Sequence, residues 1–278
     1  MSAMPGGAAG QPVIETHGLV HVYAGATRAL DGIDLAIGAG ERVAIVGQNG
    51  SGKSTLVRHF NGLLRPTDGR VIVDGADAAG RRVADLARTV GLAFQDPDRQ
   101  IFAGRVRNEV AFGPRNLGLR GAPLEQAVDE ALAATGLDKD AQTNPYDLGY
   151  SRRKLLALAS ILAMGTPVVV LDEPTTGQDA RGLERIHRIV ADLSAAGRTV
   201  VAISHDMRFV AEAFARVVVM REGRIVMDGT PAEVFDEPAW PILASTFLEP
   251  PLAARVGVRL ALGSTPTDDT LLAALAER

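Results

Sequence analysis

The sequence predicts an α/β protein with a mainly parallel core sheet and a helical insertion. Continuous apolar runs at residues 43–46 and 168–171 are typical of strands that are buried on both faces. Strand and helix patterns alternate around these runs, which favours parallel strands joined by right-handed crossovers. Helical periodicity dominates residues 96–165, so a helical segment lies between two halves of the sheet.

The N-terminal part of the chain predicts a tail followed by strands. The first eleven residues are rich in glycine, alanine and proline and lack the basic and apolar regions of a secretion signal, so we expect a disordered tail. Residues 13–89 hold short strand-like runs separated by glycine and aspartate turns, with one helix that begins at Lys53.

The insertion and the segment after it continue the pattern. Within the insertion, apolar periodicity predicts helices over residues 127–137 and 154–164. The following segment predicts one helix and three strands: a helix at 180–195 and strands at 199–203, 216–220 and 224–227. The turn Glu222-Gly223 joins the last two strands as a hairpin. Beyond Phe235, prolines divide the chain into short helices.

Composition excludes several classes of function. The 278 residues are 46 % hydrophobic with a formal net charge of −4, a balance that argues against a nucleic-acid binder driven by bulk electrostatics. The chain has no cysteine, which excludes disulfides, thiolate nucleophiles and thiolate metal sites and suits a cytosolic protein. Its longest uncharged apolar stretches, such as residues 155–164, fall short of the roughly 18 residues that a membrane-spanning helix needs.

A phosphate-binding motif stands between the first buried strand and the helix at Lys53. The pattern G-x-x-x-x-G-K-[ST] is formed by Gly47, Gln48, Asn49, Gly50, Ser51, Gly52, Lys53 and Ser54, with Thr55 next. Glycines let backbone N–H groups surround an anionic phosphate, and the helix N-terminus adds partial positive charge. Lys53 can reach the β- and γ-phosphates, and the Ser54 hydroxyl can ligate Mg²⁺. The competing interpretation is a glycine-rich turn that only caps the helix.

Two acids follow the second buried strand. Asp172 ends that strand, where a carboxylate without a partner is costly, and a bound Mg²⁺ ion would supply the partner. Glu173 is then placed to orient or deprotonate the water that attacks the γ-phosphate, which makes it the candidate general base. The alternative is a pair of acids that merely face solvent at a strand end.

With these motifs, residues 13–229 resemble the nucleotide-binding subunit of an ABC transporter. The resemblance implies a P-loop ABC ATPase fold with an antiparallel β subdomain, and ATP and Mg²⁺ as cofactors. It assigns adenine stacking to Tyr23, contact with Mg²⁺ and the attacking water to Gln95, and contact with the γ-phosphate to the catalytic His205. Read alone, Tyr23 is also compatible with a half-buried strand aromatic, and His205 with the cap region of a helix that begins near Asp206.

The ABC signature is altered. Where most members have Leu-Ser-Gly-Gly-Gln, this chain has Leu148-Gly149-Tyr150-Ser151-Arg152. In the family, the signature contacts the γ-phosphate held by the opposite subunit. Gly149, Tyr150 and Ser151 are the candidate contacts here, and Tyr150 in a glycine position hinders close backbone approach to phosphate. Either Ser151 and Arg152 take over the anion contact or the site hydrolyses poorly, and we expect a weakened signature in an asymmetric pair.

Smaller features are similar to the ATPases of energy-coupling factor transporters, importers of vitamins or of cobalt and nickel ions. They are the segments 60–66, 95–102 and 172–179, where Gln178 replaces the leucine usual in the D-loop. The resemblance implies three partners: a transmembrane energy-coupling component, a substrate-binding membrane protein, and a second ATPase subunit. It also implies a location at the cytoplasmic face of the cell membrane. Ile101 and Phe102 either contact the membrane component or belong to the core of the insertion.

The resemblance also divides the chain. We expect an ABC ATPase domain over residues 12–236, with its helical subdomain at about 96–165, and a C-terminal helical extension over 237–278. Residues 247–253 resemble the extension that helps such subunits dimerise. Two other functions stay open: a non-transport ABC ATPase acting in cofactor assembly, and a regulatory nucleotide-binding module with little turnover.

Overall fold

The computed structural model describes residues 12–277, so the predicted tail over residues 1–11 lies outside the described part. Four strands form an antiparallel sheet in the order β2-β1-β4-β5. They are β1 (Pro12–Tyr23), β2 (Thr27–Gly38), β4 (Asp68–Val73) and β5 (Ala76–Asp77). Two of them, β1 and β2, have 12 residues each and are longer than the short runs expected, because several register shifts let glycine-containing stretches stay paired.

A second sheet contains the remaining strands in the order β10-β9-β3-β8-β7-β6. These are β3 (Arg42–Val46), β6 (Val90–Ala93), β7 (Val168–Asp172), β8 (Thr199–Ile203), β9 (Arg216–Arg221) and β10 (Arg224–Gly229). Every neighbouring pair is parallel except β9 and β10, which form the hairpin. The predicted mainly parallel α/β sheet is confirmed, and its carboxyl edge collects the ends of β3, β7 and β8.

Helices connect the strands. The first, α1 (Lys53–Phe60), begins at the predicted residue, and α2 (Val83–Leu86) precedes β6. Between β6 and β7 lie α3 (Val106–Asn116), α4 (Gly121–Thr135) and α5 (Tyr150–Leu162). Both α4 and α5 begin earlier than predicted, because their first turns are largely exposed and carry little apolar periodicity. After β7 come α6 (Ala180–Ala195), as predicted, and α7 (Met207–Ala213).

The six-stranded sheet separates two apolar cores. Along β3, Val43 and Ile45 point to the core that includes the antiparallel sheet and α1, whereas Ala44 and Val46 point to the core that includes α3 to α7. All four side chains are fully buried. Burial on both faces explains why the sequence of this strand is an uninterrupted apolar run.

The C-terminal segment packs on the same body. Four short helices follow β10: α8 (Pro231–Val234), α9 (Trp240–Ala244), α10 (Leu252–Arg259) and α11 (Asp268–Ala276). Leu243 and Ala254 belong to the larger core, and Arg208 of α7 binds Asp268 of α11 at 2.8 Å. Across residues 12–277, none of the helices combines the length and the apolar character needed to cross a bilayer.

Candidate active site

The phosphate loop spans residues 47–52, between β3 and α1, and its glycines are required by backbone geometry. Gly47 has a φ of 147°, and a Cβ on it would lie 2.2 Å from the carbonyl oxygen of Met220 in β9. Gly52 has a φ of 101°, and its Cβ would lie 2.5 Å from the carbonyl oxygen of Ala29 in β2. The loop is therefore packed tightly between two strands while its open side faces solvent.

Lys53 opens α1 and lies across the loop. Its Nζ donates hydrogen bonds to the carbonyl oxygens of Gly47 at 2.6 Å and Gln48 at 2.9 Å. The residue is 7 % exposed, and this burial lowers the pKa of the ammonium, while the charges of Glu173 and Asp172 act in the opposite direction.

Asp172 ends β7 with a buried carboxylate that is only partly satisfied. The residue is 4 % exposed, and within the described residues its Oδ1 has no hydrogen-bond partner. Burial raises the pKa of Asp172, and a hydrogen bond from the Ser54 side chain lowers it. A buried carboxylate oxygen beside a hydroxyl is the kind of oxygen donor set that Mg²⁺ prefers, so these residues fit the metal that the sequence implies.

Glu173 follows in a strained conformation and contacts the predicted histidine. Its φ is 53°, a left-handed value that is unusual for a residue with a side chain. Its Oε2 lies 2.7 Å from Nδ1 of His205, which follows β8. Since an ionised carboxylate only accepts, Nδ1 carries the proton. The helix α7 is capped by Asp206, whose Oδ1 accepts from the N–H of Phe209 at 3.1 Å, so His205 is not the cap.

An open pocket of about 410 Å³, a volume suited to a nucleotide-sized ligand, gathers most of the predicted residues. The predicted residues that line it are Tyr23, Asn49, Gly50, Gly52, Lys53, Ser54, Thr55, Gln95, Asp172 and Glu173. Gly47, Gln48 and Ser51 belong to the same loop but are not among the residues that line the pocket. The hydroxyl of Tyr23, at the end of β1, lies 3.1 Å from Thr55 Oγ1, and the side chain is 37 % exposed.

Sequence reasoning missed the part of the pocket wall formed by β2 and β8. Thr27, Arg28 and Ala29 at the start of β2 and Ile203 at the end of β8 also line the pocket. No motif marks these residues. The place of Ala29 follows from the packing of β2 against the phosphate loop, since a Cβ on Gly52 would lie 2.5 Å from its carbonyl oxygen.

The altered signature lies outside this pocket, at the N-terminus of α5. Ser151 Oγ donates to Gln178 Oε1 at 2.8 Å, and Gln178 Nε2 donates to the carbonyl oxygen of Ser151 at 3.2 Å. The Tyr150 ring packs on Gly177, where a Cβ would come within 2.7 Å of it. Arg152 is bound by the carboxylate of Asp140. The structure does not bring Gly149, Tyr150 or Ser151 to the phosphate loop of the same chain.

Lys154, also in α5, is a buried residue that sequence reasoning missed. Its Nζ donates to the carbonyl oxygens of Glu173 and of Thr176, the latter at 3.0 Å. Burial lowers the pKa of Lys154 to about 8, against the charges of Glu173 and Asp172. A signal was available, because the chain has only three lysines, at positions 53, 139 and 154.

Comparison with known proteins identifies the family. A model of the ABC transporter family matches residues 30–176, which include the phosphate loop, Gln95 and the two acids. The chain belongs to the ABC transporter family. A relative from Methanospirillum hungatei, the energy-coupling factor transporter ATP-binding protein EcfA1, is 41 % identical over 245 residues that cover 88 % of each chain. The corresponding EcfA protein of Methanocaldococcus jannaschii is 43 % identical, with 81 % of each chain covered.

Two further matches bear on the extent of the family. A putative ABC transporter ATP-binding protein of Caldanaerobacter subterraneus is 43 % identical over 251 residues, and this chain spans 44 % of its length. The structure of cbiO1 from Clostridium perfringens, described as part of the ABC transporter complex cbiONQ, is 34 % identical. It has a TM-score of 0.75 and covers 90 % of this chain and 96 % of that one. The predicted ABC ATPase fold and the resemblance to energy-coupling factor ATPases are confirmed, and the chain is an ATPase of this family.

Proposed function

We propose that the chain binds ATP and Mg²⁺ in this pocket and that hydrolysis resets the closure of two ATPase subunits in an energy-coupling factor importer. The observation that carries the proposal is the 2.7 Å contact between Glu173 and His205, next to the Oδ1 of Asp172, which has no hydrogen-bond partner among residues 12–277. The similarity to energy-coupling factor proteins supports the transport role. A separate membrane protein then selects the vitamin or metal ion that is transported.

ATP is held by the phosphate loop and by α1. Backbone N–H groups of residues 47–52 and the N-terminus of α1 bind the phosphates. Lys53 leaves the loop carbonyls, which it now contacts, and binds the β- and γ-phosphates. The exposed face of Tyr23 stacks on adenine.

Asp172, Ser54 and Gln95 line the pocket together and would hold Mg²⁺. A bound Mg²⁺ would supply positive charge to stabilise the phosphate oxygens during transfer. Asp172 gains the partner that its buried Oδ1 lacks. Ser54 contributes its hydroxyl oxygen from the first turn of α1.

Glu173 is the general base. Its carboxylate orients the water and takes a proton from it as the water oxygen attacks the γ-phosphorus. His205 contacts Oε2 of that carboxylate and contacts the γ-phosphate from the end of β8. The low exposure of Glu173, 7 %, keeps bulk water from competing for the carboxylate.

The signature of this chain serves the ATP of a second ATPase subunit. Gly149, Tyr150 and Ser151 stand at the N-terminus of α5, where backbone N–H groups can face an anion. The Ser151 hydroxyl already donates to Gln178, and Arg152 is held by Asp140, so neither donor is ready for phosphate. These contacts support a weakened signature in one of two composite sites.

The membrane component docks on the insertion, at the cytoplasmic face of the membrane. Ile101 belongs to the core, but Phe102 is 59 % exposed and stacks edge-on against Phe112, with ring centroids 4.6 Å apart. The buried Glu109 carboxylate accepts the N–H groups of Phe102 and Ala103 at 3.0 and 2.7 Å and fixes this loop. An exposed aromatic pair on a fixed loop suits an apolar helix of a membrane partner.

The C-terminal extension supports dimerisation. Phe247 is 83 % exposed and Leu252 is 72 % exposed, and both lie in the segment that resembles the family's dimerising extension. Apolar side chains that are this exposed are typical of a surface that another chain covers.

The test is the Mg²⁺-dependent ATPase rate of wild type, Glu173→Gln and the control Glu184→Gln, with native mass measured at saturating ATP. Glu184 is an exposed acid of α6. We expect Glu173→Gln to lower the rate at least about 100-fold and to accumulate an ATP-bound dimer. An unchanged rate in Glu173→Gln would refute the assigned base. Tight ATP binding without turnover or dimer in wild type would show that the active unit requires a different second chain.

A further inference from the structure

A buried lysine connects the signature helix to the turn that carries Glu173. Lys154 lies in the second turn of α5 and is 7 % exposed. Its Nζ donates to the carbonyl oxygens of Glu173 and Thr176, and the Tyr150 ring centroid lies 6.0 Å from it. Of the other two lysines, Lys53 donates to the carbonyl oxygens of Gly47 and Gln48 in the phosphate loop, and Lys139 is exposed.

The conformation of Glu173 needs support from its surroundings. At a φ of 53°, a residue with a side chain is strained and keeps this geometry only when neighbouring groups hold it. Its N–H donates to the carbonyl oxygen of Ile203 at 2.9 Å, and its carbonyl accepts from Lys154. The peptide groups on both sides of the Glu173 Cα are therefore fixed, one by β8 and the other by α5.

The position of the Lys154 side chain is itself well defined. The reciprocal hydrogen bonds between Ser151 and Gln178, and the packing of Tyr150 on Gly177, join the first turn of α5 to the same turn of the chain. Lys154 is not among the residues that line the nucleotide pocket, so it lies behind Glu173 rather than beside the phosphates.

We propose that Lys154 is a positioning residue for ATP hydrolysis, which holds the Glu173 carbonyl and thereby keeps the Glu173 carboxylate against His205. This inference rests on the proposed role of Glu173 as general base. It predicts that Lys154 affects the rate of hydrolysis and leaves ATP binding nearly unchanged, because it contacts the base and does not contact the nucleotide.

The first test compares Lys154→Met, which removes the donor and keeps an apolar chain of similar length, with the matched control Lys139→Met. We expect kcat to fall about 10- to 100-fold in Lys154→Met, as for other displaced catalytic groups. The dissociation constant for Mg-ATP and the binding stoichiometry should change less than about twofold, and Lys139→Met should match wild type. A variant that is merely destabilised would lose binding stoichiometry together with rate.

A double variant shows whether Lys154 acts through Glu173. Single-turnover rates of Glu173→Gln and of Lys154→Met with Glu173→Gln should agree within about twofold, because a positioning residue has no effect once its target is gone. A further tenfold loss in the double variant would overturn the inference. If Lys154→Met does not fold, Lys154→Gln, which keeps a shorter neutral donor, takes its place and should show a smaller loss.

The second readout requires no turnover and so separates this inference from the proposed function. In protein labelled with ¹⁵N-histidine, the hydrogen-bonded Nδ1–H resonance of His205 reports its contact with Glu173. We expect Lys154→Met to move this resonance to its position in Glu173→Gln. A wild-type resonance would overturn the positioning role, whatever the rates. Conversely, a normal hydrolysis rate in Glu173→Gln would refute the role of Glu173 as general base. The His205 resonance would then still test whether Lys154 holds Glu173 against His205.

Discussion

Replacing glycines of the phosphate loop by alanine separates the two reasons for their presence. Gly47→Ala forces a side chain into a φ of 147° and brings its Cβ to 2.2 Å from the Met220 carbonyl oxygen. Gly50→Ala meets the same kind of penalty at a φ of 81°, but nothing lies within 4 Å of its Cβ. The pair therefore compares backbone strain alone with strain plus a clash against a fixed strand.

The expected magnitudes follow from these contacts. Strain at such a φ costs about 1–3 kcal/mol, and a clash that cannot relax adds about 1–3 kcal/mol. Taking about 2 kcal/mol for each contribution, we expect about 4 kcal/mol of destabilisation for Gly47→Ala and about 2 kcal/mol for Gly50→Ala. In a domain of this size, 1 kcal/mol shifts Tm by about 2–4 °C, so the shifts should be about 8–16 °C and about 4–8 °C.

The assay is thermal unfolding followed by circular dichroism without nucleotide. Without nucleotide, the Tm reports the stability of the folded protein and is not affected by changes in phosphate binding. Equal Tm shifts in the two variants would refute the reasoning, because they would show that β9 moves away from residue 47 at little cost.

Two other predictions concern buried charges. Asp172→Asn removes a carboxylate with an unpartnered oxygen, so the nucleotide-free protein should gain about 2–4 °C in Tm and lose the extra stabilisation by ATP that depends on Mg²⁺. The exposed Asp138→Asn is its control in the same scans, and a lower Tm in Asp172→Asn would contradict the account. For Lys154, the folded-state pKa of about 8 lies below the ordinary lysine value of 10.5, so the folded chain binds fewer protons than the unfolded chain between these pH values. The stability of wild type relative to Lys154→Met should therefore rise from pH 8 to 10.5 in urea titrations, and a fall would be inconsistent with a desolvated ammonium.

The site brings together groups that belong to both apolar cores. The phosphate loop and α1 rest on the core beside the antiparallel sheet, whereas α5 and the signature belong to the helical side. They meet at the carboxyl edge of the six-stranded sheet, where Asp172 ends β7 and Glu173 follows it. The turn after β7 is therefore the point at which a movement of the helical side can reach Glu173, the proposed general base.

Much of this protein was determined by its sequence alone. The buried strand and the helix at Lys53 flank a motif whose glycine spacing is set by backbone geometry. The phosphate loop can therefore be predicted from the sequence without knowledge of the fold. Asp172 and Glu173 can also be predicted from the sequence, because they directly follow a continuous apolar run. The parallel direction of most strands follows from the alternation of strand and helix patterns along the chain and from right-handed crossovers.

Only the tertiary structure decided which distant groups touch. The contact of Lys154 with the Glu173 carbonyl joins residues 19 apart, and the Ser151–Gln178 pair joins residues 27 apart. The contact of Ala29 with the phosphate loop at Gly52, and the hydrogen bond between Tyr23 and Thr55, depend on how one sheet packs on the other. A sequence pattern records the period of a single element, whereas these contacts depend on the packing of several elements, in which each position is set by side chains far away in the chain.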